Sequence, residues 1–207
     1  MVLTWANQIT ILRILLIAPF VICMLKSNES DAGFAYRYAA LGIFMVMCIS
    51  DVLDGYMARV KKQMTQLGSF LDPLADKLLM TCACILLATT KTAVTGFKLP
   101  YEVVVLIIGK DLFMMTGFIT LYLFTSHIRI VSVAAGKAST FLQLSMVLTT
   151  LIAPEMSMHF TWWVYLAKGL WFLTASAAVL STLIYIRHGK QFIEEFGVNL
   201  ENNDAVK

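Results

Sequence analysis

The sequence predicts an all-α integral membrane protein with six transmembrane helices, and three observations support this fold class. Of the 207 residues, 59% are hydrophobic and only 14% are charged, whereas soluble domains carry about 25% charged residues. Apolar segments of roughly 20 residues, the length that crosses a bilayer as a helix, recur along the chain. Short polar stretches separate these segments, and no internal repeat is visible.

The predicted spans are six apolar segments of similar length. Together they form a single membrane domain, residues 1–190, which is followed by a polar tail, residues 191–207. The helix that contains the last span is expected to fray one or two turns beyond Arg187. The spans are placed at residues 8–26, 36–58, 70–90, 101–124, 138–157 and 161–186.

The distribution of Lys and Arg predicts the orientation in the membrane. Close to the span ends, two groups of these residues are compared. Beside the connections after the second and fourth spans and after the last span there are seven, namely Arg59, Lys61, Lys62, Arg129, Lys137, Arg187 and Lys190; beside the other connections there are four, namely Lys26, Arg37, Lys91 and Lys98. Because cytoplasmic loops are enriched in Lys and Arg, both termini and the 59–69 connection are expected in the cytoplasm, with the protein in the cell (inner) membrane. The net charge of +3 gives no indication of nucleic-acid binding.

Four aspartates flank the connection between the second and third spans. Asp51 and Asp54 are three residues apart and Asp72 and Asp76 are four apart, so on a helix each pair shares one face. A single ionised carboxylate at mid-membrane depth costs at least about 2.5 kcal/mol, and four so close together call for a neutralising cation. Carboxylates without accompanying His or Cys indicate a hard ion such as Mg²⁺, Mn²⁺ or Ca²⁺. A metal site is therefore predicted at the cytoplasmic ends of these two spans.

The same stretch carries eight residues at fixed spacing, in the pattern D-x2-D-G-x2-A-R-x8-G-x3-D-x3-D. The pattern consists of Asp51, Asp54, Gly55, Ala58, Arg59, Gly68, Asp72 and Asp76. On these residues the chain resembles the CDP-alcohol phosphatidyltransferase family, in which CDP-diacylglycerol gives its phosphatidyl group to an alcohol and CMP leaves. The resemblance implies an enzyme that uses Mg²⁺ or Mn²⁺ and forms a homodimer.

The resemblance also implies roles for individual residues. The four aspartates are the expected metal ligands, and Asp76 is in addition the expected acceptor of the proton from the attacking hydroxyl. Glycine at positions 55 and 68 lets a nucleotide approach the helix backbone, and Arg59 suits phosphate oxygens. The residues expected to bind CDP-diacylglycerol are Asn7, Thr10, Asp51, Gly55, Ala58, Arg59, Thr65 and Gly68.

The polar start of the first span contains an N-x-x-T-x-x-R stretch formed by Asn7, Thr10 and Arg13. Considered alone, Arg13 fits a side chain whose charged end extends to the membrane surface while its stem packs on apolar residues. Beside a nucleotide-binding motif, the stretch is interpreted as part of the cytosine or ribose pocket.

Further matches favour the phosphatidylglycerophosphate synthase branch of the family, whose acceptor is glycerol 3-phosphate. They are the F-L-D-P-L-A-D-K run at residues 70–77 and the G-K-x-x-T-x-x-Q run at residues 136–143. The candidate contacts for the acceptor phosphate are Lys110, Arg129 and Lys137.

Three residues at two sites depart from that branch. Lys110 and Asp111 stand where Arg-Glu is frequent, and Ser139 replaces a second basic residue. Lys110 with Asp111 is open to interpretation as an internal ion pair, and Lys77 as the partner of Asp76 or of another carboxylate.

The sequence leaves two alternative functions open: a related enzyme with a different acceptor, and an ion transporter. A cardiolipin synthase, with phosphatidylglycerol as acceptor, shares the D-P-L-A-D-K run. An ion transporter would use the carboxylates as a pathway, but it would be expected to show two related halves with broken helices, and the sequence has no such repeat.

Overall fold

A computed structural model describes residues 5–29, 32–61, 66–125 and 134–204, except for the side chains of residues 5–7, 52–73, 118, 120–125, 134–135 and 188–204. Every regular element in these ranges is a helix, which confirms the predicted all-α class. The helices are α1 (Trp5–Lys26), α2 (Gly33–Lys61), α3 (Gln66–Ala88), α4 (Tyr101–Thr125), α5 (Ala134–Leu151), α6 (Ala153–His159) and α7 (Trp162–Asp204).

The helices pack as two groups that α3 joins. In the first group, α1 lies against both α2 and α3; in the second, α7 lies against both α4 and α5. The third helix contacts α4 and α5, and α2 also touches α5. Apolar side chains fill the interior, including Phe20 of α1 and Phe44 of α2, whose ring centroids are 5.9 Å apart. Since α1 lies between the two aspartate-bearing helices, its side chains can reach both.

Among the described residues, three helical segments are long and apolar enough to cross a membrane, or four if a bent pair counts as one span. The three are Gln8–Lys26, Gly33–Asp51 and Trp162–Arg187. Many large apolar side chains on the outside of the bundle are exposed, as expected of a surface that faces lipid rather than water. The protein is therefore a helical membrane protein, and the count of six spans stays a prediction.

The predicted fifth span, 138–157, is not one straight helix. It is divided between α5 and α6, whose axes differ by 67°. Pro154 lies in the first turn of α6, where its missing N–H needs no helical partner. Within a longer helix the same proline would remove a hydrogen bond and clash with the preceding turn, so the chain bends just before it.

The last helix is longer than predicted. The sequence suggested that helical structure frays one or two turns beyond Arg187, whereas α7 continues to Asp204. No proline follows Arg187, and each added residue of an existing helix gains a backbone hydrogen bond without a new nucleation step. The polar segment therefore extends the helix.

The ends of the helices opposite the aspartates are joined by polar contacts. Arg37 of α2 forms an ion pair with Glu155 of α6. Asn28 donates hydrogen bonds from Nδ2 to the carbonyl oxygens of Lys91, at 3.0 Å, and Ala93, at 2.9 Å. These contacts fix the α3–α4 connection and the short α6 to the first two helices.

Candidate functional site

The predicted metal ligands lie on two helices. Asp51 and Asp54 are both in α2, and Asp72 and Asp76 are both in α3, so each pair has the helical spacing that the sequence analysis assumed. The side chains of Asp51 and Asp76 are described, whereas those of Asp54 and Asp72 lie outside the described side chains. Asp76 is within electrostatic range of Asp51, so the two helices bring these carboxylates into one region.

A buried arginine from α1 meets the first aspartate. Arg13 Nη1 lies 2.8 Å from Asp51 Oδ1, and the Arg13 side chain is only 2% exposed while that of Asp51 is 50% exposed. An arginine reaching the membrane surface would keep its guanidinium exposed, so that interpretation of Arg13 is wrong. Thr10, one turn earlier on α1, is fully buried.

Asp76 lies among charges of both signs. The adjacent Lys77 places Nζ 3.8 Å from its Oδ2, and Arg13 and Asp111 also act on its carboxylate. The Asp76 side chain is 27% exposed. A carboxylate in this setting retains access to a ligand while the neighbouring cations reduce the cost of its charge.

A buried network joins α3 to α4. Lys77 Nζ lies 2.9 Å from Asp111 Oδ1, and Lys110 Nζ lies 3.1 Å from the same oxygen. Both ion pairs were among the interpretations of the sequence, and the structure shows that one carboxylate serves the two lysines.

The network continues into α5. Lys110 Nζ donates to Ser139 Oγ at 3.3 Å and to Gln143 Oε1 at 3.4 Å, and Gln143 Nε2 donates to Asp111 Oδ2 at 3.5 Å. Ser139, which departs from the branch pattern, thus accepts a hydrogen bond from the residue that also departs from it. Three helices are tied together at the level of Asp76.

The three candidate contacts for an acceptor phosphate have different surroundings. Lys110 is 3% exposed and its ammonium group contacts Asp111, Ser139 and Gln143, so it is not accessible to an acceptor from solvent. Lys137 is exposed in the first turn of α5, two residues before Ser139. Arg129 lies outside the described residues.

The predicted nucleotide-binding residues lie mainly on α1, α2 and α3, and the structure describes the side chain of only some of them. Thr10 and Asp51 are described, as above. Thr65 falls outside the described residues altogether. The remaining residues, whose side-chain surroundings are not described, are Asn7, Gly55, Ala58, Arg59 and Gly68.

The sequence profile of CDP-alcohol phosphatidyltransferases matches residues 3–182, which is most of the chain. The chain belongs to the CDP-alcohol phosphatidyltransferase family. Membership makes it a membrane-embedded transferase of phospholipid biosynthesis, and this confirms the resemblance found in the aspartate motif.

Individual relatives differ in the reactions for which they are named. A CDP-diacylglycerol–glycerol-3-phosphate 3-phosphatidyltransferase of Bacillus subtilis (strain 168) is 34% identical over 145 residues, 67% of this chain and 71% of that protein. A protein of the same name from Pseudomonas fluorescens is 44% identical over 82 residues, 39% of each chain. A probable CMP-forming cardiolipin synthase of Drosophila melanogaster is 28% identical over 205 residues, 89% of this chain and 57% of that protein.

A CDP-alcohol phosphatidyltransferase with four aspartates is expected to hold a divalent cation, and the described donors fit one. Asp51 and Asp76 offer carboxylate oxygens from two helices, and both side chains are partly exposed. Hard oxygen donors of this kind suit Mg²⁺ or Mn²⁺. No group of three or more metal-binding side chains occurs within the described part of the chain, from which two of the four predicted ligands are absent.

Sequence reasoning missed one neighbour of the carboxylates in this transferase. Cys48 lies one turn before Asp51 on α2 and is within electrostatic range of both Asp51 and Asp76. The i, i+3 spacing from Asp51 was the available signal, since such residues are neighbours on a helix.

The shared carboxylate of the buried network gives a prediction for stability. Asp111→Asn is expected to destabilise the protein by about 3–5 kcal/mol, because it leaves the buried charge of Lys110 without its carboxylate partner. Thermal unfolding in detergent measures the effect. Glu102→Gln, which removes an exposed acid of the same helix, should leave the unfolding temperature unchanged. Wild-type stability of Asp111→Asn would contradict the ion-pair assignment.

Proposed function

We propose that the protein transfers a phosphatidyl group from CDP-diacylglycerol to glycerol 3-phosphate, with release of CMP, at the cytoplasmic face of the membrane. The observation that carries the proposal is the 34% identity to the Bacillus subtilis relative named for that reaction. The exposed Lys137, close in sequence to a residue of the buried network, supports it as a cation available to an anionic acceptor. The distribution of Lys and Arg supports the cytoplasmic orientation of the site. The protein is also proposed to form a homodimer, on the basis of the family resemblance.

The proposed chemistry is a displacement at the phosphorus that carries the diacylglycerol. An acceptor hydroxyl oxygen forms a bond to this phosphorus, the bond to the bridging pyrophosphate oxygen breaks, and CMP leaves with that oxygen. Asp76 takes the hydroxyl proton. Mg²⁺ or Mn²⁺, held by Asp51, Asp54, Asp72 and Asp76, would supply charge neutralisation at the pyrophosphate.

Individual residues are proposed to bind the donor and the acceptor. Arg59 is proposed to bind donor phosphate oxygens, since its planar fork suits them. Asn7 is proposed to contact the nucleotide from α1. Lys137 is proposed to bind the acceptor phosphate, since Lys110 is buried and paired with Asp111.

A second candidate function is cardiolipin synthesis from phosphatidylglycerol. It is favoured by the Drosophila melanogaster relative, which matches 89% of this chain, and by the burial of Lys110, which keeps this cation from an anionic acceptor. Phosphatidylglycerol carries no terminal phosphate monoester, so its use would depend little on Lys137.

Replacing Lys137 tests the acceptor. For Lys137→Ala we expect the KM for glycerol 3-phosphate to rise about tenfold, because one charge-assisted contact contributes about 1.5 kcal/mol or more. CMP release is measured with each acceptor titrated in turn. Lys91→Ala, an exposed lysine in the connection at the other end of α3, is the matched control and should not change the KM. Turnover of phosphatidylglycerol alone by the wild-type protein would establish the second candidate instead.

A further inference from the structure

The ion pair between Arg13 and Asp51 joins a buried cation to a half-exposed carboxylate. The Arg13 side chain is 2% exposed and the Asp51 side chain 50% exposed, with 2.8 Å between Nη1 and Oδ1. Moving a charged group out of water is unfavourable unless it gains a partner. The charge of Arg13 is therefore stabilised by protein partners and not by water.

Its location relates it to both carboxylate-bearing helices. The helix α1 packs against α2 and α3, and Arg13 acts electrostatically on Asp76 of α3 as well as pairing with Asp51 of α2. A single guanidinium thus pairs with Asp51 of one predicted ligand pair and lies within electrostatic range of Asp76 of the other.

The ion pair involves one of the two oxygens of the Asp51 carboxylate. Arg13 approaches Oδ1, and a carboxylate has a second oxygen that can accept further contacts. A partner that fixes one oxygen restricts rotation of the side chain, and such outer contacts orient metal-binding carboxylates in other proteins.

We propose that Arg13 is a positioning residue that holds Asp51 in the orientation required to bind a divalent cation. The inference rests on the proposed metal site. It goes beyond that proposal because it gives Arg13 a role toward the metal, whereas the N-x-x-T-x-x-R stretch that contains Arg13 was assigned to the nucleotide pocket. Arg13 acts through Asp51 and makes no contact with the cation itself. Its positive charge also repels the cation, so the sign of its net effect on metal affinity is a direct test.

Binding of Mn²⁺, measured by electron paramagnetic resonance on the full-length protein in detergent without nucleotide, tests the proposal. Arg13→Gln is expected to weaken Mn²⁺ binding about 10- to 100-fold, the range found when partners of metal ligands are removed. Arg13→Lys, which retains the charge but not the planar fork, is expected to recover part of the affinity.

The matched control is Arg37→Gln. It also removes an arginine that pairs with an acid between two helices, but at the opposite end of the bundle. It is expected to lower thermal stability and to leave Mn²⁺ affinity within about twofold of wild type. General loosening of the bundle would weaken Mn²⁺ binding in both Arg13→Gln and Arg37→Gln, whereas loss of local positioning would weaken it in Arg13→Gln alone.

Three results would overturn the proposal. Unchanged affinity in both Arg13 variants, with weakened CMP binding, would assign Arg13 to the nucleotide. Tighter Mn²⁺ binding in Arg13→Gln would show that repulsion outweighs positioning. Absence of Mn²⁺ binding by wild type would remove the metal site and the inference together. Phosphatidyl transfer to glycerol 3-phosphate is decided separately, by CMP release from the wild-type protein.

Discussion

Asp76→Asn is expected to reduce CMP release from CDP-diacylglycerol by at least about a hundredfold while the protein stays folded. The change removes a proposed metal ligand and the proposed proton acceptor, and proton transfer by a positioned group contributes about 10²–10⁴-fold on its own. The fold should tolerate it, because Lys77 keeps its contact of 2.9 Å with Asp111. Turnover is measured with purified protein at saturating donor and acceptor, alongside the thermal unfolding temperature.

Glu155→Gln provides the control for Asp76→Asn. It removes a carboxylate that pairs with Arg37 across two helices, at the end of the bundle away from the aspartates, and should change turnover per folded molecule by less than about twofold. Near-normal turnover of Asp76→Asn would refute its proposed role, and equal losses in both variants would indicate a general effect on folding.

Removal of divalent cations is expected to reduce CMP release at least as much as Asp76→Asn does. In excess chelator we expect CMP release to fall by more than about a thousandfold, since charge neutralisation by a bound metal contributes several kcal/mol and each 1.36 kcal/mol is a factor of ten. Added Mg²⁺ or Mn²⁺ should restore the rate, because both suit oxygen ligands.

The metal experiment needs a separate measurement of folding. Thermal unfolding in chelator shows whether the protein remains folded when it is inactive. Recovery of activity when Mg²⁺ is added back excludes irreversible loss. Full activity at the highest chelator concentration would contradict the metal-dependent reaction and leave the aspartates without their proposed role.

Much of the protein could be predicted from its sequence because the relevant signals are local. Low charge and apolar segments of bilayer length predict membrane helices, and the all-α class is confirmed. The spacing of the motif from Asp51 to Asp76 identified the family, which the match over residues 3–182 confirms. Helical spacing also placed each aspartate pair on a single helix, α2 or α3.

Helix lengths and bends were predicted less well. The effect of Pro154 depends on whether it falls inside a helix or in a first turn, and the apolar composition around it suggested an unbroken span. The extension of α7 to Asp204 was also missed, because a polar segment can continue a helix that packing has already nucleated.

The sequence by itself determined the membrane class, the family and the residues that carry the proposed chemistry. Only the tertiary structure decided which charges of different helices meet: Arg13 of α1 with Asp51 of α2, and Lys77 of α3 with Asp111 of α4. Such pairs join residues of different helices, and they depend on the rotation and depth of each helix. Packing of the whole bundle fixes both, and no short stretch of sequence contains that information.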